Sequence, residues 1–157
     1  MKRHVVMAAF AAALAAGSAG AEVAPADVKW DEGAIAQSLS GVAGDPDSGA
    51  KIMTTNALGN CVACHQISAM PTVQFQGDIA PALDGAADRY SEAQLRGIVV
   101  DAKHTFEASF MPGMYKTGPF IRPGDAYTGK AAPADLPPIL DAQQIEDVVA
   151  YLLTLKE

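Results

Sequence analysis

The chain has 157 residues, with 11 Lys+Arg against 18 Asp+Glu and a net charge of −7. This length allows one domain of ordinary size once a targeting segment is set aside. The acidic balance argues against a nucleic-acid partner and suits basic protein surfaces or plain solubility.

Residues 1–21 read as a signal peptide. Lys2, Arg3 and His4 make a basic start, Val5 to Ala16 is an unbroken apolar run, and Ala19-Gly20-Ala21 supplies small residues for cleavage. A membrane span needs about 20 apolar residues, more than this run offers, and nothing after it reaches that length. The sequence therefore predicts a periplasmic protein cleaved near Ala21, with no membrane association. Loss of Lys2 and Arg3 takes the net charge to −9. With Phe10 also removed, nine aromatic residues remain, and the apolar side chains left for a core are mostly small. A planar cofactor at the centre would resolve that shortage.

Residues 22–44 form an N-terminal extension and residues 45–157 the main domain. Residues 22–30 read as a loose lead-in. Asp31 is placed to cap a short helix with Ala34, Ile35 and Leu39 at helical spacing. Asp45-Pro46 is a helix-start pair, and this helix is expected to run towards Leu58, carrying Ile52 and Met53, with Gly59-Asn60 ending it. Ser91 and Gln94 make a capping box stapled by Tyr90 and Leu95, with Leu95, Ile98 and Val99 as the buried stripe. Residues 112–140 hold six prolines and four glycines, too many for a long regular element. Phe120, Ile121 and Tyr127 favour an ordered loop there, packed on a cofactor or partner. Asp141 and Gln144 repeat the capping box, stapled by Leu140 and Ile145, ahead of the stripe Ile145, Val148, Val149, Leu152 and Leu153. No alternating strand or internal repeat appears, so the fold class is all-α.

Both cysteines fall in Cys61-Val62-Ala63-Cys64-His65. C-x-x-C-H is the haem c attachment pattern: the two thiols add across the haem vinyl groups, and the histidine beside Cys64 comes beneath the iron as an axial ligand. A redox-active C-x-x-C would want a preceding strand and a βαβ pattern, which are not visible. A zinc site needs four ligands, and His65 stands directly beside Cys64, an awkward geometry for one tetrahedral ion. A disulfide across two residues closes too short a loop to stabilise much.

The second axial position is open to Met53, Met70, Met111, Met114 and His104. Met53 lies on the apolar face of the first helix, and Met70 is too close to His65 to wrap round a haem edge. Met111 precedes Pro112, which keeps it extended, and it follows the third helix where the chain reaches the distal side. The order of preference is Met111, then Met114, then His104. A thioether ligand gives the raised potential of a carrier cytochrome. In Ile79-Ala80-Pro81-Ala82-Leu83-Asp84-Gly85, a backbone carbonyl is placed to accept the Nδ1–H bond of His65.

The haem motif, the P-x-L-x-G segment at 81–85 and the later Met-Pro pair resemble a class I cytochrome c. The likeness sharpens over "GDPDSGAKIMTTNALGNCVACH", "APALDGAADRYSEAQLRGIVVDAKHTF", "FMPGMYKTGPFIRPGD" and "PILDAQQIEDVVAYLLTLKE". These stretches resemble the SoxX family, monohaem subunits of the SoxAX cytochromes of periplasmic sulfur oxidation, over roughly residues 32–157. The resemblance implies a class I cytochrome c fold around one covalent haem c. It also implies that the Pro81 carbonyl bonds the proximal His65 and that the methionine, at Met111, is the distal ligand, with Met114 standing where the family tends to place an aromatic. It further implies a heterodimer with a SoxA-like haem subunit, a complex that oxidatively couples thiosulfate to a cysteine of a carrier protein, and electrons passed to a small acceptor cytochrome c. A free-standing electron carrier and a haem enzyme or sensor with an open distal site are the competing classes. No independent catalytic group stands out on this chain.

Overall fold

The computed structural model describes residues 21–120 and 129–157. Four α-helices carry the fold: α1 (Pro46–Thr54), α2 (Ala86–Arg89), α3 (Glu92–Asp101) and α4 (Ala142–Leu152). Short 3-10 turns occur at Pro25–Asp27, Cys61–Ala63 and Ala102–His104, and there is no β-strand among the described residues. None of these helices is long and apolar enough to cross a membrane.

The sequence signals act locally as physical caps. At α1, Pro46 occupies the first turn and the Asp45 carboxylate accepts the amide of Asp47 at 2.9 Å. The capping boxes form at both later helices: Ser91 and Gln94 bond reciprocally at 3.3 and 2.9 Å, and Asp141 and Gln144 at 2.8 and 3.0 Å. Helix α1 stops at Thr54 rather than near Leu58. The hydroxyls of Thr54 and Thr55 donate to carbonyls of Ala50 and Lys51, so side chains compete for the last turn.

Helices α1 and α4 cross closely. A methyl group on Gly49 would lie 2.1 Å from the Asp147 carbonyl oxygen, so only glycine lets the two backbones approach this far. Around the crossing, Ile52 and Met53 of α1, Leu95, Val99 and Val100 of α3, and Ile145, Val148, Val149 and Leu152 of α4 are buried in one core.

The helix expected from Asp31 is not formed. Glu32 and Gly33 both have positive φ, 47° and 84°, and Asp31 and Ala34 exchange backbone hydrogen bonds across this turn. The helical part of the extension is a single 3-10 turn, and Ile35 and Leu39 enter the core from irregular backbone. A buried pair on the neighbouring helices holds them there. Arg96 donates through Nη1 to the Ile35 carbonyl at 2.9 Å, and Glu146 accepts the Leu39 amide at 2.7 Å. The extension is thereby tied to both α3 and α4.

The long loop leaves α3 through Met114 and Tyr115, both buried, whose amides bond Val99 and Val100 carbonyls at 3.4 and 3.2 Å. The amide of Leu140 bonds Met114 O at 2.9 Å and closes the loop. Phe120 is exposed, while Ile121 and Tyr127 lie outside the described residues.

Candidate haem-attachment site

Asn60, in the left-handed conformation at φ 46°, turns the chain out of the segment after α1 and into the 3-10 turn Cys61–Ala63. The amides of Cys64 and His65 both return to the Cys61 carbonyl, at 3.1 and 3.0 Å. This one-turn geometry gathers both thiols and the imidazole on a short arc of chain. Both cysteines are half-buried and unpaired. Burial pushes the Cys61 thiol up to about 11.

The segment 77–83 runs beside the motif, with amides of Gly77, Ala80 and Leu83 bonding carbonyls of Val62, Cys64 and Gln66 at 2.8, 3.0 and 2.9 Å. This pairing brings the Pro81 carbonyl to 2.6 Å from Nδ1 of His65. A carbonyl only accepts, so Nδ1 carries the proton and Nε2 is left with its lone pair free for a metal. Arg89, on α2, holds the chain just after Pro81, donating to the carbonyls of Asp84 at 2.6 Å and Ala82 at 3.2 Å. Arg89 was not marked by the sequence, because its one-turn helix has no periodicity to read.

The candidates for the second axial position lie in different surroundings. Met53 and Met70 are core residues, and Met114 is 5% exposed with both its amide and its carbonyl engaged. His104 stacks on Trp30, ring centroids 3.7 Å apart and 11° from parallel. Met111 packs partly buried at the edge of the core, next to the exposed Phe110. Its amide bonds Ser109 Oγ at 3.2 Å and its carbonyl accepts Lys103 Nζ at 3.0 Å, so its backbone is held from both sides. Lys103, like Arg89, has no signal in the sequence.

The donor set fits a covalent haem: two unpaired thiols, an imidazole with Nε2 available, and a partly buried thioether beyond the third helix. Among the described residues no group of three or more His, Cys, Asp or Glu is arranged to hold a bare metal ion.

The cytochrome c family model matches residues 46–156, and the chain belongs to the cytochrome c family. Its fold is the all-α class I type, and its cofactor is one covalently bound haem c, for which Cys61 and Cys64 fit the attachment motif. Among solved structures, the chain is similar to one in the crystal structure of SoxXA from P. pantotrophus. The two are 64% identical, the match covers 87% of this chain and 99% of that one, and the TM-score is 0.83. A comparison with curated proteins finds no match.

Proposed function

We propose that this chain is the electron-transfer haem c subunit of a periplasmic SoxAX-type complex. The observation that carries the reading is the 64% identity to a SoxXA chain over 99% of that chain's length. In this reading the partner is a SoxA-like haem subunit, and the complex joins thiosulfate to a cysteine of a carrier protein. Electrons leave through this chain to a small acceptor cytochrome c. Residues 1–21 direct export and are cleaved near Ala21.

When bound, the haem supplies a one-electron redox centre. The chain's own residues tether and tune it. Cys61 and Cys64 would hold it through thioethers, and His65 would offer Nε2 to the iron. The Pro81 carbonyl fixes the orientation of the His65 ring through the 2.6 Å bond at Nδ1. Met111 would supply a thioether as the second ligand. Its position at the edge of the core supports it over Met114, whose side chain is part of the packing.

The test is an affinity pull-down of the tagged protein from its host grown on thiosulfate, followed by haem staining and mass spectrometry. A second, larger haem protein in equal amount is expected. Recovery of the chain alone with its haem bound would give the protein to the free-carrier class instead.

A further inference from the structure

We propose that Arg89 is a positioning residue for the axial histidine: by holding two carbonyls of the turn after Pro81, it fixes the direction of the Pro81 carbonyl that receives the Nδ1 proton of His65. This role deepens the function proposed above and rests on its assignment of His65 to the iron.

The chain from Cys64 to Ser68 and the chain from Ala80 to Asp84 are joined by a run of hydrogen bonds. The Ala80 amide bonds the Cys64 carbonyl at 3.0 Å, and His65 Nδ1 bonds the Pro81 carbonyl at 2.6 Å. Further along, the Leu83 amide bonds the Gln66 carbonyl at 2.9 Å, and the Asp84 carboxylate accepts the Ser68 amide at 3.0 Å. The bond to the histidine ring is thus one rung of a ladder, and its quality depends on how steadily the turn at 81–84 is held.

The proline ring fixes φ, so the Pro81 carbonyl is aimed by one soft torsion, ψ, which turns it against the chain that follows. The next peptide unit is held from both edges: the Leu83 N–H donates to Gln66 O, and the Ala82 carbonyl accepts Arg89 Nη2 at 3.2 Å. Arg89 Nη1 then takes the Asp84 carbonyl at 2.6 Å. A guanidinium is a rigid planar fork, so one side chain fixes both carbonyls relative to each other, and a charged donor makes the stronger kind of hydrogen bond.

Arg89 stands on a fixed base. Helix α2 is a single turn, but the Ala87 amide bonds the Leu155 carbonyl at 3.0 Å and the Asp88 carboxylate accepts the Glu157 amide at 2.8 Å. Leu155 is itself part of the buried core. Gly85, at φ 66°, leaves room for the guanidinium to fold back over the turn, since a Cβ there would lie 3.1 Å from Arg89 Nη1. The hold on the His65 side is therefore braced against the segment that follows α4.

The test follows solvent exchange of the His65 Nδ1 proton by NMR in the reduced holoprotein, with the Leu83 and Gly77 amides read in the same spectra. Arg89 is exposed, so Arg89→Ala leaves the core intact. This variant is expected to keep its haem and its visible spectrum. Exchange at Nδ1 is expected to become about tenfold faster, in line with loss of a charged hydrogen bond, and Leu83 to follow it. Gly77, bonded to Val62 on the other side of the motif, is expected to stay within about twofold of wild type. Arg89→Lys keeps the charge but cannot straddle both carbonyls, and is expected to recover only part of the protection. The same comparison of Nδ1 with Gly77 in Arg89→Lys decides the matter if the alanine variant does not fold. Wild-type exchange at Nδ1 in Arg89→Ala would overturn the positioning role and leave the proposed function standing. Equal acceleration of all three protons would show that Arg89 supports the fold as a whole, and full recovery in Arg89→Lys would show that its charge alone suffices; either overturns the proposal. A wild-type His65 whose ring protons lack the upfield shift that a haem ring current gives an axial ligand would overturn the ligation itself.

Discussion

Arg96 on α3 and Glu146 on α4 form a buried ion pair, with Nε to Oε1 and Nη2 to Oε2 both at 2.9 Å. Burial works against the Arg96 charge, yet the hydrogen bonds and charge of Glu146, joined by Glu92, outweigh it and hold the guanidinium above its ordinary value. The same two side chains bond the extension at Ile35 and Leu39. Removing one partner leaves a buried charge and frees the extension. Glu146→Ala is therefore expected to cost about 3–5 kcal/mol, measured by denaturant unfolding. The double change Arg96→Met with Glu146→Leu is expected to cost less than the sum of the two single losses.

The α1–α4 crossing sets the second expectation. Gly49→Ala places a methyl 2.1 Å from the Asp147 carbonyl oxygen, and the helices must separate to admit it. A loss of at least about 1–3 kcal/mol is expected, as for other overpacked sites. A melting temperature equal to wild type would show that the crossing is looser than described.

Met111 and Met114 are separable by experiment. Met111→Ala is expected to leave the haem attached and the fold intact, and to make the reduced protein bind carbon monoxide readily. Met114→Ala is expected to cost about 2–5 kcal/mol as a core truncation and to leave carbon monoxide excluded. Visible spectroscopy of the reduced proteins, with and without the gas, reads both outcomes.

Acid stability depends on Asp101. Burial raises its carboxyl, but bonds from Lys116 Nζ at 3.1 Å and from the Lys103 amide, with the charges of both lysines, outweigh it and hold the group below its ordinary 3.8. A lowered folded-state value contributes stability that is fully present above the unfolded value. It is lost as pH falls below 3.8 through the folded value. Asp101→Asn is expected to lower the melting temperature near neutrality and to flatten its fall between about pH 5 and 2. An unchanged acid limb would remove Asp101 from the account.

The helices that the sequence revealed are those whose signals are local. Asp45-Pro46 and the boxes Ser91–Gln94 and Asp141–Gln144 act within one turn, so their geometry is written in neighbouring residues. The haem motif is legible for the same reason. The extension misleads because Ala34, Ile35 and Leu39 have helical spacing, while the turn at Glu32-Gly33 and the distant pair Arg96–Glu146 decide its path. Arg96 and Glu146 lie 50 positions apart and meet only where α3 and α4 are set side by side. The site divides in the same way: Cys61, Cys64 and His65 are adjacent in sequence, whereas the hold of Arg89 on the carbonyls of Ala82 and Asp84 and of Lys103 on that of Met111 arises only from the folded chain.

The most direct test of the electron-transfer role is stopped-flow spectroscopy of the assembled complex as thiosulfate and the cysteine-bearing carrier are added. The account predicts that the haem on this chain becomes reduced during turnover, only when the partner subunit is present, and is reoxidised by a small cytochrome c. A haem that stays oxidised while the carrier is modified, or that is reduced equally well in the isolated chain, would contradict it.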